Sequence, residues 1–153
     1  MTLSYDAIYS EFLSMIGDVE FLSLDISDAT AFMSGWLKTA LSNIRIQNLF
    51  SSKSYDSEIQ SLTFELNTST GDDQGDLDFV TKVLATGMLI AWLQPKVTTT
   101  ININQMFGGK EQQFYAQANH LSQLRGLLED SKLSLNKMIR DRSYAHNTYI
   151  EGE

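Results

Sequence analysis

Four acidic residues lie close together in residues 72–78, a density of carboxylates that could gather a calcium ion. The calcium loop of a helix–loop–helix motif needs oxygen ligands at alternating positions, a central glycine and a glutamate at the twelfth position. Counted from Asp72, the twelfth residue is Val83, which lies in an apolar run. We therefore interpret these acids as a solvated loop followed by a helix N-terminus, and we predict no metal site.

The histidines and the glycine pair give little indication of catalysis or phosphate binding. His120 and His146 have no second histidine four residues away, and no serine stands in a G-x-S-x-G turn. A glycine pair at 108–109 precedes a lysine, but a glutamate occupies position 111, where a P-loop has serine or threonine. We predict a protein that is not an enzyme and binds no cofactor. A serine–histidine site formed through space is the enzymatic alternative.

Residues 140–149 combine two arginines with two tyrosines and a histidine. Such side chains could stack on bases or contact phosphate, and the same types dominate the hot spots of protein–protein interfaces. Asp141 lies between the arginines, and Glu151 and Glu153 follow, so the positive field is diluted. We expect a protein interface here, with a frayed helix end or a nucleic-acid contact as alternatives.

The composition is that of one globular domain, residues 1–153, with an uneven distribution of charge. The chain is 42% hydrophobic, and it lacks cysteine, which excludes disulfides and thiolate chemistry. Residues 1–95 hold four basic and thirteen acidic residues, for −9, whereas residues 96–153 hold seven and six, for +1. This polarity favours head-to-tail contacts between copies over the wrapping of nucleic acid. Acids that only keep the surface soluble would explain it equally well.

No segment has the pattern of a secretory signal or of a membrane span. Residues 1–17 lack a basic start and contain Asp6 and Glu11. The longest charge-free apolar run, residues 83–93, is about half of the 20 or so residues that a span requires. We expect a soluble protein without a membrane partner.

Apolar residues at helical spacing predict two helices in the N-terminal half. The first begins after Ser4, which can cap it, and ends at Gly17; the second runs from position 27 or 28 to 48. Alanine and glycine in the stripe of the second helix would allow another helix to approach closely. Alternating apolar residues at 62–66 predict a short strand or hairpin.

The C-terminal half predicts a buried helix, an extended arm and a long final helix. The buried helix covers about 76–93 and ends before Pro95, which cannot continue it. The arm covers 96–109, with β-branched residues in 96–104, and a helix of about 50 Å follows over 110–143. A C-terminal tail takes 144–153. The fold class is mainly α: a helical bundle of about four helices with one long C-terminal helix, a short strand or hairpin and an extended arm.

The strings MLIAWLQPKV (88–97), INQMFGGKEQQFYAQANHLSQLRGL (103–127) and KMIRDRSYAHNTY (137–149) lie in a region, residues 76–149, that resembles a known family. The order and spacing of these segments resemble the small helical head–tail connector (adaptor) proteins of tailed bacteriophages. The resemblance implies a structural virion protein, assembled in the host cytoplasm, that forms a homo-oligomeric ring in the neck, commonly a dodecamer. It also implies contacts with the portal protein and with another neck or tail protein. DNA would pass through the channel without specific binding.

Two sets of residues are the candidates for such a role. The candidate interface residues are Val97, Thr99, Ile101, Ile103, Phe107, Arg125, Arg140, Arg142, Tyr144 and Tyr149. The candidate lumen-facing acids are Asp72, Asp73 and Asp76, which would keep DNA from adhering to the channel. The alternative is a helical interaction module or regulator that holds a single partner through Trp36 or Trp92.

Overall fold

A computed structural model describes residues 1–16, 26–106 and 111–145 of the protein, with side chains described for 1–16, 28–98 and 122–144. The elements are β1 (Thr2–Ser4), α1 (Tyr5–Met15), α2 (Ile26–Leu41), α3 (Ile44–Gln47), β2 (Phe50–Asp56), β3 (Ser61–Leu66), α4 (Asp73–Met106) and α5 (Glu111–Ala145). The strands form one antiparallel sheet in the order β1-β3-β2. The predicted mainly α class is confirmed.

The start of α1 is the one that the sequence predicts, because the Ser4 hydroxyl accepts a hydrogen bond from the Asp6 backbone N–H at 3.2 Å. Strand β1 precedes it and was missed, since three residues are too few to show an alternating pattern. The strand is held at its end by the Met1 ammonium group, which donates to the Phe64 carbonyl oxygen at 2.9 Å. The predicted end at Gly17 lies outside the described residues.

The second predicted helix is divided into two, so its predicted unbroken course from position 27 or 28 to 48 is wrong. Helix α2 ends at Leu41, and the short α3 begins at Ile44. The Ser42 hydroxyl donates to the Lys38 carbonyl oxygen, and the Asn43 side chain accepts from the Arg45 N–H at 2.9 Å. Such side chains compete with the helical backbone for its hydrogen bonds, and they end α2 and begin α3 here.

The predicted strand at 62–66 is β3, and it pairs with the longer β2 in a hairpin. The sequence of β2 gave no signal because most of its side chains are exposed. In the turn, the Asp56 carboxylate accepts from the N–H groups of Glu58 and Ile59 at 3.0 and 3.2 Å. Gln60 follows with a left-handed φ of 49°, and its carbonyl accepts from the Tyr5 N–H. The turn is therefore tied to the start of α1.

The predicted extended arm over 96–104 is wrong, because α4 continues through Pro95 to Met106. Proline inside a helix removes a hydrogen bond and costs about 3 kcal/mol. Pro95 itself is exposed, however, while Leu93 and Val97 on either side are buried in the core. Burial of one such side chain contributes about 1.5–3 kcal/mol, so packing outweighs the local preference.

Helix α4 is the central element: α1 and α2 pack on it, and α5 runs antiparallel along it. Phe12 of α1 contacts both Trp36 of α2 and Trp92 of α4, at centroid distances of 5.5 and 6.4 Å. The predicted long final helix is confirmed as α5, with Leu128 and Leu135 buried against the rest of the core. Ser131 lies between these two leucines on the buried side of α5. Its hydroxyl donates to the Leu127 carbonyl oxygen, so this buried polar group has a hydrogen-bond partner.

The crossing of α2 and α4 is tight enough to predict the effect of one methyl group. A Cβ atom added at Gly87 would lie 2.8 Å from the Ala40 Cβ and 3.2 Å from the Ile46 Cδ1. We expect Gly87→Ala to lower the free energy of unfolding by about 1–3 kcal/mol, the usual cost of overpacking.

Gly35→Ala is the matched control, since a Cβ there meets nothing within 4 Å and alanine favours a helix over glycine. Urea unfolding of the two variants and the parent gives the comparison. A Gly87→Ala protein as stable as Gly35→Ala would contradict the close crossing.

Candidate functional site

An ion pair inside the protein joins the first turn of α4 to the last turn of α5. The Asp76 side chain is fully buried, and the Nη2 of Arg142 donates a hydrogen bond to its Oδ1. The Nε of Arg142 donates to the Thr68 carbonyl oxygen at 3.1 Å, and its guanidinium lies 4.5 Å from the centroid of the Phe79 ring. The Arg142 guanidinium therefore contacts a carboxylate, a carbonyl oxygen and an aromatic ring at the same time.

Three further hydrogen bonds hold the Asp76 carboxylate from the preceding loop. The Ser69 hydroxyl donates to Oδ2 at 3.0 Å, the Thr70 hydroxyl donates to Oδ1 at 2.8 Å, and the Thr70 N–H donates to Oδ2 at 3.2 Å. Burial alone would raise the pKa of Asp76, but the hydrogen bonds from Thr70, Arg142 and Ser69 outweigh it and lower the pKa below its ordinary value. The carboxylate is thus kept charged inside the protein.

This pair corrects two of the predicted site residues. Asp76 was a candidate lumen-facing acid, but it is buried with its charge neutralised, because the end of α5 covers it. Arg142 was a candidate interface residue, yet its guanidinium is bound within the chain and its side chain is only 12% exposed. Asp72 and Asp73 are exposed, so the proposal for a lumen retains these two acids.

The residues predicted for an arm belong to a helix, and they divide into two groups. Val97 is 5% exposed and packs in the chain's own core, so its predicted role in an interface is wrong. Thr99, Ile101 and Ile103 lie in α4, but their side chains are outside the described set. Two further candidates, Phe107 and Tyr149, lie outside the described residues. Their roles stay predictions.

The side of α5 that faces away from α4 carries the remaining candidates. Leu133, Lys137, Arg140 and Tyr144 recur at intervals of four, three and four residues, so they share one helical face. We call this set the α5 outer face. Leu133 is 66% and Tyr144 61% exposed, whereas Leu128 on the opposite side is buried.

Arg140 and Tyr144 were predicted, and they lie together on the α5 outer face, while the exposed Arg125 lies towards its edge. Leu133 was missed by the sequence reasoning. The sequence signal that could have identified it is its helical position, because Leu133 does not lie on the same side of α5 as the buried Leu128 and Leu135.

A cleft of about 410 Å³ lies on another part of the surface, between α1, α2 and the β2–β3 hairpin. Its walls include Tyr5, Leu37, Leu41 and Tyr55, with hydrogen-bonding groups that include Ser34 and Gln60. Burial raises the pKa of Tyr5, and the neighbouring Tyr55 and the charge of Asp56 raise it further. Sequence reasoning missed this cleft because its walls come from several separate elements, which include α3 through Gln47.

The two tryptophans considered as grips for a single partner are partly buried against Phe12. Phe32 stacks on Trp36 at a centroid distance of 6.0 Å and is 54% exposed. The Lys96 ammonium lies 4.7 Å from the centre of the Trp92 ring. Of this region, Phe32 presents the largest apolar area to solvent.

No protein-family model, curated protein or solved structure matches the chain. Within the described residues, no helix has the length and apolar character needed to cross a membrane. The same residues contain no group of three or more histidine and acidic side chains placed to hold a metal ion.

Arg142→Ala is expected to lower the free energy of unfolding by about 3–5 kcal/mol, because it leaves the Asp76 charge buried without its partner. Lys82→Ala is the control, because it removes an exposed cation of α4 that lies outside the α5 outer face, and it should change the free energy of unfolding by less than about 0.5 kcal/mol. Chemical denaturation of both variants measures the difference. Similar losses would show that the ion pair does not hold α5 in place.

The free energy of unfolding is expected to fall as the pH drops below about 4, the ordinary range for aspartate. Because the pKa of Asp76 is lower in the folded protein, ionised Asp76 contributes stability above the unfolded-state value, and this contribution is lost as the pH falls through the folded-state value. Asp76→Asn removes that contribution, so the free energy of unfolding of this variant should depend on pH less steeply than that of Asp73→Asn. Asp73→Asn is the control, because it removes a carboxylate that is exposed. Equal slopes in acid denaturation would contradict the assignment.

Proposed function

We propose that the protein is a structural component of a phage neck, in which copies form a ring that joins the portal to tail components and continues the DNA channel. The observation that carries the proposal is the α5 outer face. Leu133 and Tyr144 are both more than half exposed, and Lys137 and Arg140 lie between them. Exposed apolar side chains beside tyrosine and arginine are typical of protein interfaces.

The shape of the α4–α5 pair supports an assembly role. The helices contain 34 and 35 residues, so each is about 50 Å long, at 1.5 Å per residue. The Asp76–Arg142 pair joins the start of α4 to the end of α5, so the two helices run antiparallel, and the side of α5 that bears Leu133 and Tyr144 is exposed to neighbours.

The distribution of charge supports a ring that conducts DNA. The N-terminal 95 residues carry a formal charge of −9, and Asp72 and Asp73 are exposed at the start of α4. Acids on the channel wall would repel the phosphate backbone and let it pass. The portal and a further neck or tail protein are the partners that the family resemblance implies, and twelve copies is the ring size that it implies.

The second candidate is an interaction module that binds one partner through the aromatic patch of Phe32 and Trp36. The exposure of the stacked Phe32 ring favours this candidate. A one-to-one complex that is lost in Phe32→Ala would distinguish it from a symmetric ring.

Native mass spectrometry of the protein, alone and with its portal protein, tests the ring. We expect a closed oligomer of defined copy number, and we expect Leu133→Glu to abolish it, because a charge would be buried without a partner in the contact. Ser134→Glu adds the same charge at the neighbouring exposed position, off the outer face, and should leave the oligomer intact. A strict monomer in both conditions would contradict the proposal.

A further inference from the structure

The end of the β2–β3 hairpin and the α5 outer face both expose apolar side chains, and their charged residues are opposite in sign. We define the hairpin tip as Tyr55, Asp56, Glu58 and Ile59, which are all exposed and lie beside the cleft. We propose that the hairpin tip and cleft of one copy receive the α5 outer face of the next copy. This inference rests on the proposed ring, and it names the two surfaces that join its subunits.

The apolar parts of the two surfaces are complementary. Ile59 is 71% and Tyr55 50% exposed on the hairpin tip, and Leu133 and Tyr144 are exposed to a similar extent on α5. At about 25 cal/mol per Å² of apolar area, burying such side chains in a contact is favourable, whereas leaving them in water is not. Contact between the two surfaces would therefore remove the exposed apolar side chains of both from water.

The charges of the two surfaces are opposite. Asp56 and Glu58 give the hairpin tip two negative charges, and Lys137 and Arg140 give the α5 outer face two positive ones, which the exposed Asp141 beside Arg140 reduces to a net charge of +1. None of these four side chains takes part in an ion pair within the described part of the chain. Lys38 at the cleft reduces the negative charge there without cancelling it. Opposite charges at the rim of a contact orient the two partners.

The cleft provides a place for the aromatic anchor of α5. Its volume of about 410 Å³ lies within the range of pockets that enclose an organic group. Leu37 and Leu41 offer an apolar wall for the Tyr144 ring, and Ser34 and Gln60 offer hydrogen-bonding groups for its hydroxyl. Arg140 is one helical turn from Tyr144, so it would lie at the rim of the cleft, on the side of the exposed Glu58, which follows the cleft residue Ser57 in the chain.

The position of the two surfaces suits a ring. The cleft belongs to α1, α2 and the hairpin, and the outer face belongs to α5; α4 packs against both groups. The surfaces therefore lie on different sides of the central helix. A contact between unlike surfaces is heterologous, and repeating it closes a ring when the rotation between neighbouring copies divides a full turn evenly; any other rotation gives an open filament.

Charge reversal across the proposed contact provides the test, in the full-length protein and over a range of concentrations. Arg140→Glu and Glu58→Arg should each raise the concentration at which the oligomer dissociates by about tenfold or more, because each sets like charges opposite one another. The double variant restores an opposite pair and should recover most of the loss. Glu58 is preferable to Asp56 because the Asp56 carboxylate also builds the turn.

Two exposed charges away from both surfaces provide matched controls. Lys82→Glu on α4 and Glu65→Arg on β3 make reversals of the same signs and should leave the dissociation concentration unchanged. If the parent forms a ring but the double variant is no better than either single variant, this contact is overturned while the proposed ring stands. A parent that stays monomeric at every concentration overturns both.

Discussion

A carboxylate buried away from water must be compensated, and Asp76 meets that requirement with Arg142, a residue 66 positions further along the chain. The pair joins the beginning of α4 to the end of α5, so it fixes which turns of the two long helices lie side by side. The same carboxylate gathers Ser69 and Thr70, and the same guanidinium holds the Thr68 carbonyl. The loop before α4 is therefore ordered by the interaction that positions α5.

The orientation of α5 has a direct consequence for the surface of the protein. With Arg142 and Leu135 turned towards α4, the opposite side of the helix presents Leu133 and Tyr144 to solvent. The proposed assembly role depends on this rotation more than on any single exposed residue.

Much of the fold could be predicted from the sequence, because apolar periodicity reports which side of a helix is buried. The start of α1 and the length of α5 follow from such patterns, as does the capping by Ser4. Pro95 misled the reasoning because local propensity opposes a helix there, while the tertiary burial of Leu93 and Val97 decides in its favour. Asp76 could not be recognised as buried, since its partners come from a loop and from the far end of the chain. The cleft could not be predicted for the same reason, since its walls come from elements that are distant in the sequence.

In the proposed ring, α5, fixed on α4 through Asp76 and Arg142, joins copies of the protein. Electron microscopy of the purified protein, with symmetry determined from the images, tests this arrangement. We expect closed rings with a central channel, in which the density of α5 contacts the neighbouring subunit through the side that bears Leu133. Single particles of one copy, or rings in which that side of α5 faces solvent, would contradict it.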